Sequence, residues 1–474
     1  MQPERAAAEP RTFGHGGNAS EWGAVVVRGP FFKYWNRVRS GFWFVPAVMA
    51  GVAVALALVS VTVDEPLTEW LALNLGWTFT GGAEGASALL GIVAGSMITI
   101  AGVVFSMTLV TLSLASSQLG PRLLRSFMRD SSTQVVLGTF IATFLYCLLV
   151  LRTIRRAEEV AFVPHLSVTL GVLLAMASVA VLIYFIHHVS VSIQANEIAA
   201  RIGKELIERI DHLFPGHIGQ GASRIPAEPP DASFFEAFDQ EARPVGADGD
   251  GYLQFVDAEA LLALAMEEDL VVRLERRPGD YVVASCPLAL VWPGSRVTDR
   301  LTEQVQSLLV LGHQRTSDQD IEFGVNQLVE IAVRALSPGL NDPFTAMTCV
   351  DHLGSALCRL ATRDMPSPYR HDRRNQLRVI ARGNTFPEVV DAAFNQIRQS
   401  CRSSASVTIR LLETIAVVAT FVHQPQDHAT LLQHAEMIAR GASEGLPEEK
   451  DRRAVEERRQ AVSRLCSEPA GAGR

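Results

Sequence analysis

The sequence predicts a polytopic α-helical membrane protein: four transmembrane helices, then a cytoplasmic α+β region in which a small β module precedes a helical module. Three observations carry that prediction. Hydrophobic residues make up 48% of the 474-residue chain, and they crowd into the first 190 positions. Four apolar runs there match the length of about 20 residues that a helix needs to cross a hydrocarbon core. Beyond them the pattern changes to short β-rich stretches and then to helical periodicity.

Residues 1–30 are rich in Gly, Pro and Ala and read as disordered. The following "FFKYWNRVRSGFW" mixes Phe31, Phe32, Tyr34, Trp35 and Trp43 with basic residues, the composition of an interfacial anchor. The predicted spans are Phe42 to Val63, Ala86 to Ser113, Val135 to Leu151 and Leu166 to Val189. The first is no cleavable signal peptide, because it begins some 40 residues in and further spans follow it. Basic loops stay on the cytoplasmic side. Lys33, Arg37 and Arg39 precede span one, Arg122, Arg125 and Arg129 follow span two, and Arg201, Lys204 and Arg209 follow span four. The loop from Asp64 to Gly85 is acidic, with Asp64, Glu65, Glu69 and Glu84, so both termini are expected inside. Arg152, Arg155 and Arg156 break the rule, partly offset by Glu158 and Glu159.

The second span interrupts itself with small and polar residues. At 100° per residue, Ser87, Gly91, Gly95, Thr99, Gly102, Ser106, Ser113 and Ser117 fall within roughly a third of the helix circumference, with Leu109 among them. Two readings compete. Small residues let helix backbones approach closely, and Gly91 and Gly95 form a GxxxG pair. In a symmetric oligomer the same stripe would line a water path, with Leu109 as an apolar constriction that gates by dewetting. No span carries an acidic residue at its centre, which argues against a proton-coupled carrier. His187 and His188 read as interfacial residues at the end of span four. After "QLG", Pro121 opens a helix with Arg122, Arg125 and Arg129 on one side, either gripping anionic lipid or acting as a basic cap that sets topology.

Past span four, "SIQANEIAARIGKELIERIDHLF" extends the helical pattern until Pro215 and Gly216, and residues 215–250 read as a linker. A β module over 251–295 offers a strand, a short helix capped by Asp257, the strand "LVVRLER", a turn at Pro278 and Gly279, and strands near Tyr281 and Leu288. Its "RPGDYVVASCPLALV" resembles half of a barrel-sandwich hybrid domain. Biotin or lipoate carriage is excluded, because no lysine occurs between Lys204 and Lys450. A helical module over 296–440 follows, then a charged tail.

The densest polar stretch is "GHQRTSDQDIEFGVNQLVEIAVRALSPGLNDPFTAMTCVDHLG". Ser317 and Asp320 have capping-box spacing, "SPGLNDP" ends the resulting helix, and Asp342 with Pro343 caps the next one. A ligand, partner or catalytic reading of this motif would use His313, Arg315, Asp318, Asp320, Arg334, Ser337, Gly339, Asn341 and Asp342, with Asp351 and His352 beyond them. The spacing matches no nucleophile elbow, HExxH, P-loop or GxGxxG pattern, so no catalytic residue is assigned and an enzyme ranks last. Neither a cofactor nor a metal site is expected. The cysteines Cys147, Cys286, Cys349, Cys358, Cys401 and Cys466 contain no CxxC pair and read as reduced thiols. A formal net charge of −8 with no basic aromatic stripe argues against a nucleic-acid partner.

The phrases "RTSDQDIEFGVNQLVEIAVRALSPGLNDPFTAMTCVDHL", "GVVFSMTLVTLSLASSQLGPRLLRSFMRD" and "LGTFIATFLYCLLVLRT" resemble the bacterial membrane-protein family catalogued as domain of unknown function 2254, over about Tyr34 to Val422. The resemblance implies an integral inner-membrane protein and carries no activity or site residue with it. The expected partners are membrane lipids, further copies of the chain, and a small ligand or ion. Two functions are expected to compete: a homo-oligomeric channel-like conduit gated by the cytoplasmic region, and a membrane-anchored sensor or scaffold.

Overall fold

In the computed structural model the described residues are 43–74, 81–119, 131–154, 163–192, 194–214 and 230–467. The expected N-terminal disorder and the aromatic anchor up to residue 42, the basic helix with Arg122, Arg125 and Arg129, and the outer-loop Arg155 and Arg156 lie outside them.

Four helices, α1 (Phe44–Asn74), α2 (Ala83–Leu119), α3 (Ser131–Thr153) and α4 (His165–Ser192), contain the apolar runs. The stretches long and apolar enough to cross a membrane are Phe44–Asp64, Ala83–Leu114, Ser132–Thr153 and His165–Val189. α3 lies between α1 and α2, and α4 touches all three. Small residues permit this: Gly138 of α3 sits against Pro46 and Met49 of α1, and Gly171 of α4 sits against Leu90 and Tyr146. The bundle core holds Ala53, Ala57, Leu90, Tyr146 and Val150 at one level and Met97, Ala101, Phe140 and Phe185 at another.

A buried polar layer crosses this bundle. Asp64 is not a loop residue, as the sequence reading had it, but is 0% exposed at the end of the first apolar stretch. Its carboxylate accepts from the backbone N–H groups of Leu166 (3.1 Å) and Ser167 (2.8 Å) and from the Ser167 hydroxyl (2.9 Å), so one membrane helix caps the first turn of another. Tyr146 adds a hydroxyl that donates to the Ser167 carbonyl and shares a hydrogen bond with Ser60. Removing the carboxylate orphans buried N–H donors. Asp64→Ala is therefore expected to destabilise the detergent-solubilised protein by about 2–3 kcal/mol, with Asp64→Asn milder. Scanning fluorimetry checks it; equal melting of both variants and the parent would contradict the cap.

Helix α5 (Ala195–Leu213) starts afresh after α4: Gln194 adopts an extended conformation and breaks the single projecting helix that periodicity suggested. The expected linker also holds structure where it is described. Residues Ala232–Glu241 form α6 and Arg243–Gly246 form β1. Next come β2 (Gly251–Val256), α7 (Ala258–Glu267), β3 (Val271–Leu274), β4 (Tyr281–Val282), β5 (Pro287–Trp292), α8 (Asp299–Ser307) and β6 (Leu309–Gly312). Asp257 caps α7 as expected, accepting from Ala260 N–H. Then α9 (Ile321–Ala335), α10 (Pro343–Ala361), β7 (Tyr369–His371), β8 (Leu377–Ile380), α11 (Phe386–Ser400), α12 (Ala405–Ala419), α13 (Pro425–Gly445) and α14 (Glu449–Ser467) complete the order.

Among the described residues the strands form two sheets. One runs β1-β5-β3-β8-β7, antiparallel except for the parallel β3/β8 pair, and the other is the antiparallel β4-β2-β6. The two strands of "RPGDYVVASCPLALV", β4 and β5, therefore belong to different sheets. β6, β7 and β8 lie inside the stretch that periodicity assigned to helix, since strands of three or four residues are too short to register as alternation. Their core is Val245, Leu253, Leu261, Val272, Leu288, Val291 and Val305. The helical core draws on α5 as well as α9 to α14, from Ile198 and Leu206 to Leu353, Phe394, Leu411 and Leu431. The charged tail is part of it: α14 buries Val455 and Val462.

Candidate functional site

The residues singled out in sequence fall into three separate places. On α2, Gly91, Gly95, Thr99, Gly102, Ser106, Leu109 and Ser113 are all exposed, Leu109 at 50%. The side chain of Ser117 lies outside the described residues. Among the described residues a Cβ built on Gly91, Gly95 or Gly102 would meet nothing within 4 Å, so the GxxxG pair packs against none of the other described spans of the chain. A different face does that work: Ala86, Leu90, Ala94, Met97, Ala101 and Val104 are buried, together with Ser87. The stripe is flanked by exposed Ile92, Val103 and Val110, bulky apolar side chains of the kind a lipid-facing surface carries. Thr99 donates to the Gly95 carbonyl four residues back, so its hydroxyl is satisfied without a partner helix.

The second place is the N-terminal end of α9. Asp320, not Ser317, is the N-cap: it accepts from Phe323 N–H, and the Ser317 carbonyl instead accepts from Arg209. Asp320 is 2% exposed and pairs with Arg315 at 2.7 Å. Burial pushes its carboxyl above the usual range, against the opposing pull of Arg315. Beside it, Arg277 from the β-sheet region bridges Glu322 on α9 (2.9 Å) and Glu388 on α11 (2.8 Å), and Asn384 donates to the same Glu322. Gly279, held at φ 99°, lies so close to Asp320 that a Cβ would overlap its carboxylate. These five charged groups join the sheets to the helices. Asp318 pairs with Arg209 of α5 at 3.8 Å, and His313 is exposed.

The third place is the corner between α9 and α10. Asn341 takes the left-handed conformation (φ 47°), and Asp342 caps α10 as the sequence predicts, accepting from Thr345 N–H (3.1 Å) and the Thr345 hydroxyl (2.6 Å). That hydroxyl holds the Asp342 carboxyl below the usual range. Arg334 pairs with Glu330, Ser337 anchors the turn through its carbonyl, and Gly339 is exposed with open space around it. Fifteen residues of α9, about 22 Å of helix, separate this corner from Asp320. The polar motif therefore forms no single centre. Asp351 is held by two of the three guanidinium nitrogens of Arg410, and the His352 ring covers Gly203 of α5. A cavity of about 530 Å³ opens beside them, lined by Asn196, Phe344, Met347, Thr348, Asp351 and Arg410 among others. On α4, His188 stacks on Tyr184 and His187 is exposed. Among the described residues no three His, Cys, Asp or Glu side chains gather as metal ligands do.

Sequence reasoning missed Arg277, Glu322, Glu388 and Asp64. The first had a visible signal, an arginine abutting the "PGD" turn. The carboxylates needed the tertiary fold.

The family described as predicted membrane protein (DUF2254) matches residues 39–417. An uncharacterized protein of Mycobacterium bovis and one of Mycobacterium tuberculosis H37Rv are each 34% identical over 428 residues, covering 88% of this chain and 79% of theirs. No solved structure matches the chain.

Proposed function

The chain belongs to the DUF2254 family of predicted membrane proteins, and on that premise we propose that it is a homo-oligomeric channel or channel-like conduit of the bacterial inner membrane. In this reading both termini are cytoplasmic, in keeping with Arg201, Lys204 and Arg209 on α5, and the soluble region gates the path. The observation that carries the proposal is the exposed small-polar stripe of α2. A row of glycine and serine gains nothing against lipid tails, whereas between identical helices it permits close approach or admits water. The gate is supported by the contact of α9 with α2, through which movement of the soluble region reaches the stripe.

Leu109, half-exposed within that row, supplies the constriction. Leu109→Asn is expected to raise ion flux from proteoliposomes about tenfold by removing the dewetted barrier, and Ser106→Phe to lower it. Equal flux through parent, Leu109→Asn and empty vesicles would remove the conduit reading.

A second reading, a membrane-anchored sensor or scaffold, rests on the cavity beside Asp351 and on the self-contained helical core. Its fragment must run from 194 to 467, because α5 and α14 both contribute buried residues. Ligand-induced stabilisation of that fragment, with no flux from the full chain, would favour it.

A further inference from the structure

Side-chain contacts fix the direction in which the helical bundle leaves the membrane. On α5, Gly203 lies under His352 of α10, and eight residues later Asp211 pairs with Arg359 and Arg363. The two helices therefore run parallel in matched register. Counting back nine residues from His352 to Pro343 corresponds to counting back nine from Gly203, to Gln194. The start of α10 is thus level with Gln194, the residue just before α5 and two residues beyond the end of α4. Asn196 and Phe344 lining one cavity agree with that register.

At this level the polar "SPGLNDPF" turn exposes two large apolar side chains, Phe344 at 75% and Leu340 at 49%. Neither is needed for the turn itself, whose hydrogen bonds come from the backbone and from Asp342. Water is a poor solvent for both rings and branches, while the bilayer interface accepts an aromatic or aliphatic residue that sits beside polar backbone.

We propose that Leu340 and Phe344 insert into the headgroup and upper acyl region of the bilayer in which the protein resides, on the side where α5 emerges. The occupant is lipid because the turn is tethered beside the end of a membrane-crossing helix, within a few residues of the interface. The bundle meets that surface by this corner and not by its whole end: the α13/α14 corner carries exposed Glu448 and Glu449, which suit water. With the α9/α10 corner held by lipid, α9 is fixed against α2 at one end, and a change in lipid packing acts on α9 directly.

The test uses the full chain in nanodiscs of phosphatidylcholine and phosphatidylglycerol, with its native cysteines replaced. An environment-sensitive nitrobenzoxadiazole dye is attached at Leu340→Cys or Phe344→Cys, and at Phe421→Cys as a control. Phe421 is exposed at the far end of α12, which runs parallel to α10 through the Asp351–Arg410 pair and the packing of Thr414 on Gly354. Dye at 340 and 344 is expected to be quenched by nitroxide placed near the lipid headgroups and to resist aqueous iodide about threefold better than dye at 421. Equal iodide quenching at all three sites overturns the proposal. So does shielding from iodide without nitroxide quenching, which assigns the corner to a second copy of the chain. Neither readout depends on conduction, so failure here and failure of the conduit reading are separable.

Discussion

Valine at Gly279 is expected to weaken the region beyond the four apolar helices by about 3 kcal/mol and lower its melting temperature by roughly 6 to 12 °C. Two effects add. Gly279 has φ 99°, where any Cβ is strained by about 1–2 kcal/mol. That Cβ also overlaps the Asp320 carboxylate, which cannot retreat without giving up the Phe323 N–H and Arg315. Losing a helix cap of this kind costs about 1 kcal/mol more. Gly339→Val is the control, since a Cβ there meets open space. Scanning fluorimetry of the detergent-solubilised protein reads both, and equal melting of the two variants would refute the account. Shortening the acid as well, in Gly279→Val with Asp320→Ser, should restore part of the loss because serine still caps and leaves room.

If the proposed assembly packs through the α2 stripe, leucine at Gly91, Gly95 and Gly102 together is expected to dissociate it into 51.5 kDa single chains. The single chain has no reason to object, because among the described residues a Cβ at any of the three positions meets nothing within 4 Å, and lipid tails receive leucine readily. A close-packed contact with another copy has a different response. Overpacking costs about 1–3 kcal/mol per site, and a summed loss of about 4 kcal/mol already weakens association roughly a thousandfold. Detergent-corrected mass by light scattering separates the cases. An unchanged oligomer would place its interface elsewhere, and a monomeric parent would leave the stripe facing lipid.

Much of this molecule was legible in sequence where the physics is local. Runs such as Leu166 to Val189 give the membrane helices through composition alone, and "DP" at Asp342 and Pro343 gives a helix start through cap chemistry. Faces were legible too: 100° periodicity grouped Gly91 with Ser106. It could not say what the face touches. Long-range pairing was hidden. Asp64 looked like an outer-loop acid because its partners, Leu166 and Ser167, are a hundred positions away. Ser317 took the cap from Asp320 because the spacing rule ignores Arg315, whose pairing fixes the carboxylate where α9 begins. The polar motif read as one cluster in one dimension, and the length of α9 divides it in two.

The parallel pairing of β3 with β8 bears on how the protein is made. During synthesis the Val271–Leu274 edge emerges long before Leu377–Ile380, its neighbour in the finished sheet. At ribosomal speeds that interval lasts about 5–20 s, in which β3 pairs with β5 on one side while its other, valine-rich edge stays open beside a membrane bundle already complete. An edge of this kind recruits other strands. Nascent chains stalled between residues 300 and 370 should therefore be the aggregation-prone species, and over-expression should fail there sooner than in the membrane segments.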